Sequence, residues 1–433
     1  MFAYDLRLAW RALARSPVLT VLMILALGVG IGASMTMLTT LHVLSGDPLP
    51  GRSAHLYYPQ VDPRPLGNGS LGSNPRPPDL LTYVDAENLL HQGPARRAAV
   101  MYQGADVLRP TGVNAVPETV TARYATGTFF SMFEVPFRYG APWSAADNHG
   151  AAHVAVLSQR LNQRLFGGAD SVGRSITYAG HGFRIVGVLR HWQPVPRFYD
   201  LNSSRYGRIE DLFIPFNTAR ALDLSVNGST NCYGLPGKKL DTSPCGYIQM
   251  WVQLDNADAA AAYRRFLVNY SAQQHAAGRF QRPPNVSLDD LMQWLAVNHV
   301  VPEDVRMQAW LALGFLLVCV VNTVGLLLAK FLRRSGEVGV RRALGASRRA
   351  VFVQLLTEAG MIGAAGAVLG LLLTWLGLWL VRQQPSDYAQ LAHMQPAMLL
   401  ATLALALLAS LIAGLLPAWR ACLIAPASMI KSA

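Results

Sequence analysis

Four uncharged apolar runs punctuate the chain, and each is long enough to cross a bilayer, which takes about 20 residues. They extend from about Pro17 to Leu41, Ala309 to Ala329, Ala359 to Val381 and Pro396 to Trp419. The pattern predicts a helical membrane protein with transmembrane helices at 17–45, 307–329, 350–382 and 396–419. A large segment, 46–306, lies between the first helix and the second. The first run is well beyond the apolar core of a cleaved export signal, about 7–15 residues, and no clear A-x-A site follows it. It reads as an uncleaved span that doubles as an export signal.

The 46–306 segment has a different texture. From Asp47 to Pro78 it is dense in proline and glycine (Pro48, Pro50, Pro59, Pro63, Pro65, Pro75, Pro77, Pro78), which predicts an extended, irregular lead-in. Short β-type runs follow at Val154–Leu157, Phe183–Val188 and Met250–Leu254. Gln159 to Phe166 reads as a short helix stopped by Gly167 and Gly168. Ala259 to Tyr270 reads as another, with Asp258 placed to cap its first turn. Strands mixed with helices predict an α+β domain rather than a sandwich.

Charge assigns sides to this plan. The 433 residues are 52% hydrophobic and only 14% charged, with a net charge of +12. Arg7, Arg11 and Arg15 precede the first span; Lys330, Arg333, Arg334, Arg341, Arg342, Arg348 and Arg349 lie between the second and third; Arg420 and Lys431 follow the fourth. These twelve basic residues share their segments with only Asp5 and Glu337, whereas the remainder of the chain carries 25 basic and 23 acidic residues. The positive-inside rule therefore places the 1–16 terminus, the 330–349 segment and the 420–433 tail in the cytoplasm. The 46–306 domain and the short 383–395 loop fall outside. The basic excess is accounted for by topology, and nucleic acid is not needed to explain it. Cys232 and Cys245 then face an oxidising compartment, where a disulfide closing their 14-residue loop would contribute about 3 kcal/mol; two unpaired thiols are the alternative.

Within the 330–349 segment and beyond it, Val340, Leu344, Val351 and Leu355 recur at helical spacing, with Ser347 completing the stripe. Arg341 and Arg348 share a face, and Arg342 and Arg349 lie beside them. The pattern predicts an amphipathic helix along the inner membrane surface. Anionic lipid alone could hold such a helix. The small-residue run Ala343-Leu344-Gly345-Ala346 offers instead a shallow surface suited to close approach by a partner protein.

Two stretches resemble a known family. Tyr124-Ala-Thr-Gly-Thr-Phe-Phe-Ser-Met-Phe-Glu-Val-Pro136, then Val154 to Gly168, Val172-Gly-Arg-Ser-Ile176 and Ile185-Val-Gly-Val188 resemble the periplasmic core domain of MacB-like permeases. Glu337-Val338-Gly-Val-Arg-Arg-Ala-Leu-Gly-Ala-Ser-Arg-Arg349, continuing through Gln354 to Glu358, is similar to the cytoplasmic segment of FtsX-like permease domains. The ending Leu416 to Ala421 and Pro426 to Met429 is similar to that family's C-terminus. Residues 190–300 carry no matching motif. The resemblance implies a multi-pass permease of a bacterial inner membrane, belonging to the mechanotransmission class of ABC systems. It implies a cytoplasmic ABC ATPase subunit that binds the ATP and Mg, a homodimer or a heterodimer with a second permease, and a periplasmic adaptor. Glu337, Arg341 and Arg342 would position the coupling segment, with Val338 in the same motif, and Leu344, Gly345 and Ala346 would sit in the ATPase groove. The implied work is export or extraction of a peptide, antibiotic or lipoprotein. An FtsX-like regulator acting on a periplasmic cell-wall hydrolase is the alternative, and a stand-alone membrane anchor or sensor is a third.

Other features carry less. Gly28-Val29-Gly30-Ile31-Gly32-Ala33 fits a dinucleotide pattern but lies inside a span, where Gly28, Gly30 and Gly32 form a small-residue face for helix packing, within one chain or between two. Glu358 lies near the inner end of the third span, where an acidic residue is a functional candidate by default. Asn322 in the second span could hydrogen-bond across helices. No G-x-x-x-x-G-K-[ST] run occurs and no His/Cys cluster has metal spacing, so the sequence reads as a non-catalytic permease subunit without a cofactor of its own.

Overall fold

The computed structural model describes residues 8–9, 11–66, 76–109, 116–334, 336, 339, 340, 342, 344–383 and 396–422. The chain divides into two compact units, one formed by residues up to Ser45 together with those from Val301 onward, the other by Gly46–Val300.

The first unit is built on four helices long and apolar enough to cross a membrane: span 1 (Pro17–Ser45), span 2 (Glu303–Arg333), span 3 (Arg348–Arg382) and span 4 (Pro396–Cys422). Their sequences are hydrophobic all round because their outer faces meet lipid rather than water. Met23, Leu27, Ile31 and Met35, one helical turn apart, form the buried stripe of span 1. Spans 2 and 3 both pack along span 1, and span 4 packs against the same two. Among the described residues, spans 2 and 3 thus pack along spans 1 and 4 rather than along each other. Span 2 starts at Glu303, ahead of the apolar run, because Glu303 and Asp304 suit the positive end of a helix dipole.

The second unit is a mixed sheet of twelve strands among the described residues. They are β1 (Leu56–Val61), β2 (Leu81–Thr82), β3 (Arg97–Arg109), β4 (Glu118–Ala125), β5 (Phe137–Gly140), β6 (Val154–Leu157), β7 (Ser175–Tyr178), β8 (His181–Leu189), β9 (Leu212–Pro215), β10 (Asn231–Cys232), β11 (Cys245–Gln253) and β12 (Val286–Asp290). The main order is β12-β1-β11-β3-β4-β9-β6-β8-β5, antiparallel except for the parallel pairs β4/β9 and β6/β8. With helices packed on the sheet, the unit is α+β. All nine residues of β11 are buried, since layers cover both of its faces. Ile248, Met250 and Val252 enter the main apolar core with Val120, Ala122 and Tyr124 of β4, whereas Gln249 and Arg123 point to the opposite face.

Three local expectations need correction. The proline-rich lead-in contains β1, whose Tyr57–Val61 pair with β12; Pro59 stands opposite Leu288 within the ladder, so the prolines did not prevent a strand. The helix expected at Ala259–Tyr270 runs Ala257–Ala276 and is capped by Asn256, whose Oδ1 accepts from Ala259 N at 2.9 Å, leaving Asp258 inside the first turn. The apolar stripe through Val340, Leu344, Ser347, Val351 and Leu355 does not lie on one helix. The chain turns at Leu344 and Gly345, where φ of Gly345 is +99°, and Ser347 starts span 3 as its N-cap. Gln159–Phe166 is a helix as its caps predict: Ser158 accepts from Leu161 N, and Gly167 ends it in the left-handed region.

Candidate functional site

The connection between spans 2 and 3 follows from local chemistry. Gly345 adopts a left-handed φ that side chains resist, so helix cannot continue through it. Two residues later the Ser347 hydroxyl accepts from Ala350 N at 3.2 Å and nucleates span 3. Leu344 N donates to Val340 O at 3.0 Å, closing the last turn before the break. The tip of this turn presents Leu344, 83% exposed, with Val340 exposed beside it. A Cβ built on Gly345 meets nothing within 4 Å, so the turn has an open face. Arg348 and Arg349 are exposed on the next turn; Arg342 and Ala346 are half-buried. Glu337, Val338 and Arg341, expected to help position the segment, lie outside the described residues. An apolar tip flanked by arginines can dock an apolar, acid-lined groove or lie on an anionic surface.

Three turns into span 3 lies a group only part of which the sequence marks out. Glu358 of span 3 is fully buried. Its Oε1 accepts from Arg334 Nη1 at 3.0 Å, and Lys330 Nζ, also buried, stands 3.8 Å from Oε2. Lys330 and Arg334 are four residues apart, a spacing that marks them as neighbours on one helical face but leaves their pairing with Glu358 to the fold.

The glycines of span 1 serve close helix packing within the chain. A Cβ on Gly32 would lie 2.6 Å from Leu373 Cβ, and one on Gly28 2.7 Å from Leu369 Cδ2, both in span 3. Gly30 faces span 2, at 3.0 Å from Cys319 Cβ. Gly370 of span 3 returns the fit by receiving Ile31 at 2.8 Å. Gly32→Leu is expected to force span 1 off span 3 and to destabilise the bundle by about 1–3 kcal/mol, the usual penalty of overpacking. A lowered thermal midpoint in lipid nanodiscs checks this; an unchanged midpoint would contradict the seam. Asn322 lines an open groove of about 420 Å³ between spans 1 and 2, beside Val29 and Phe315.

In the inserted domain, Cys232 and Cys245 stand opposite each other on β10 and β11 and are joined in a disulfide, which fixes the 233–244 loop to the sheet. Deeper, a fully buried ionic network ties the 197–210 stretch to β4 and β11. Arg123 donates to Asp200 and Glu210, and to Gln249 Oε1 at 3.2 Å. Arg197 reaches Asp200 at 3.3 Å and Glu210 at 3.5 Å, and the Tyr199 hydroxyl donates to Glu210 Oε2 at 2.9 Å. Burial pushes both carboxyls up, but the Arg123 and Arg197 guanidiniums overcome it and hold both below the usual carboxylate range. No part of this network was legible in the sequence.

Comparison with known proteins covers both units. Residues 20–268 match the family model of the MacB-like periplasmic core domain, and residues 310–426 match that of the FtsX-like permease C-terminal domain. The macrolide export ATP-binding/permease protein MacB of Escherichia coli K12 is 24% identical over 393 residues, covering 87% of this chain and 52% of that protein. The pyoverdine export ATP-binding/permease protein PvdT of Pseudomonas syringae pv. tomato is 25% identical over 313 residues, covering 70% of this chain and 42% of its own. The chain spans about half the length of the curated relatives it matches. Among solved structures, the periplasmic region of MacB from Actinobacillus actinomycetemcomitans is similar over 56% of this chain and 92% of that one, with a TM-score of 0.37 and 13% identity. The extracellular domain of the noncanonic ABC-type transporter YknZ from Gram-positive bacteria covers 54% of this chain and 98% of its own, with a TM-score of 0.35 and 13% identity.

Proposed function

Since the chain belongs to the MacB/FtsX-like permeases of ABC-type transporters, we propose that it couples a cytoplasmic ATPase to movement of its inserted domain through the turn between spans 2 and 3. The observation that carries this reading is the exposed Leu344–Gly345 tip, which lies in the connection between the two spans just ahead of the start of span 3 at Arg348. An apolar side chain held out on a tight turn, with arginines beside it, suits insertion into a groove of a partner protein better than a flat rest on lipid. The positive-inside asymmetry supports a cytoplasmic position for this turn and for residues 1–16 and 420–433, with the inserted domain on the opposite side. We propose that ATP and Mg are held by a cytoplasmic ABC ATPase outside these 433 residues, which themselves carry no G-x-x-x-x-G-K-[ST] run. Movement of the spans would drive the inserted domain to expel or extract its cargo. Relatives named for pyoverdine and macrolide export support export as the work done, and the cargo we propose is a peptide, antibiotic or lipoprotein. A second permease, identical or paralogous, and a periplasmic adaptor complete the assembly.

Isolation from native membranes in mild detergent tests this. The expected result is a complex with a nucleotide-binding subunit that hydrolyses ATP, and whose inserted domain changes its protease sensitivity when ATP is trapped. A purified chain with no nucleotide-binding partner and no response to ATP would overturn the proposal.

A further inference from the structure

Spans 2 and 3 are consecutive in sequence, yet each packs along spans 1 and 4 rather than along the other. The apolar side chains at their connection-side ends, Leu327 and Phe331 on span 2, Val351 and Leu355 on span 3, belong to one buried cluster that also takes in spans 1 and 4. Apolar contact of this kind is non-directional and does not fix one helix end against another. The Lys330–Arg334–Glu358 group does, because it crosses from span 2 to span 3 with specific partners. Its placement is costly. Two of its three side chains are at most 2% exposed, and buried charges are retained only when paired. Arg334 is the residue at which span 2 ends, Lys330 lies one turn back, and Glu358 lies three turns into span 3. The group therefore bridges both arms of the 334–347 connection.

We propose that Lys330, Arg334 and Glu358 are positioning residues that clamp the connection-side ends of spans 2 and 3 into a single lever. A displacement of the Leu344 tip then reaches both spans together instead of spreading one from the other. This rests on the reading that the tip receives the push, and it adds the element that keeps the push from being dissipated in the bundle.

The test uses the full chain in lipid nanodiscs, with hydrogen exchange read at residues 326–334 and 352–360. Glu358→Lys is expected to loosen both ends, raising exchange by about tenfold or more, and Lys330→Glu added to it is expected to bring exchange back toward wild type. The apolar pair Lys330→Met with Glu358→Leu removes the two fully buried charges, and Arg334, 23% exposed, loses its contact to Glu358 but can turn to water, so the protein stays folded while its ends loosen as in Glu358→Lys. Unchanged exchange in the folded apolar pair, or failure of the exchanged pair to restore protection, would overturn the clamp. Should the apolar pair not fold, the exchanged pair decides alone. Leu344→Asp serves as the separate control: it leaves exchange at both ends as in wild type, and full ATP-driven activity in that variant would refute docking at the tip without touching the clamp.

Discussion

Replacing Leu344 by Asp is expected to leave the protein inserted and folded while lowering ATP-driven turnover roughly 10- to 100-fold. The side chain is 83% exposed in the isolated chain, so its removal creates no cavity and disturbs no core. In a docked complex it would be buried, and burying a leucine contributes about 1.5–3 kcal/mol. An aspartate there forfeits that burial and adds the desolvation of a charge, which is why the expected loss exceeds that of Leu344→Ala. Gly345→Trp reaches the same end by another route. The left-handed φ of +99° resists any side chain, and a large one would occupy the open face the turn offers. Membrane insertion, thermal stability and ATP hydrolysis measured on the same preparations separate loss of docking from loss of fold. Wild-type turnover in both variants would contradict coupling through this turn.

Arg123→Ala is expected to destabilise the inserted domain by about 3–5 kcal/mol, the effect of removing one partner from a buried ion network. Asp200 and Glu210, both fully buried, would lose their main counter-ion and keep only Arg197 at 3.3 and 3.5 Å. Against a typical domain stability of about 5–15 kcal/mol, this endangers the fold at physiological temperature. The same network sets an acid limit. Both carboxyls are held below their ordinary values in the folded state. Their contribution is therefore fully present above the unfolded-state values of about 4, and it is lost as pH falls from there through the depressed folded values. Wild-type domain stability should fall with acidification in that window, and Arg123→Ala should show a weaker dependence. Denaturant midpoints as a function of pH, read by exchange of β4 and β11 amides, check both. An Arg123→Ala midpoint equal to wild type would contradict a structural role for the network.

What the sequence disclosed follows from the range over which each signal acts. The four spans were legible because twenty or more consecutive apolar residues admit few other structures in a bilayer protein. The helix Gln159–Phe166 was legible to the residue because Ser158 and Gly167 both cap it locally. Met250–Leu254 showed only the end of β11, since Gly246 and the polar Gln249 interrupt the apolar run while being buried all the same. The Arg123 network escaped because its members lie 77 and 87 residues apart, and nothing in a single sequence pairs them. Asn256 was missed because Asp258 stood nearer the apolar stretch. In the connection, small residues compatible with helix masked a break that Gly345 and Ser347 together signal, a glycine stop followed by a serine start. Glu358 was visible as an acidic residue in an apolar context, but its partners required the fold, which brings Lys330 and Arg334 to it from the other arm of the turn. The glycines of span 1 could serve packing within one chain or between two; the structure fills both of their faces from spans 2 and 3.

The central claim is that the turn between spans 2 and 3 touches an ATPase. A photo-reactive amino acid placed at position 344 of the full-length protein in native membranes tests it most directly. The account predicts a covalent adduct with a cytoplasmic ABC ATPase subunit, mapped by mass spectrometry to a groove on that subunit, and a loss of the adduct when Gly345→Trp is present. Adducts confined to lipid, in membranes where ATP-driven activity of the complex is intact, would contradict it.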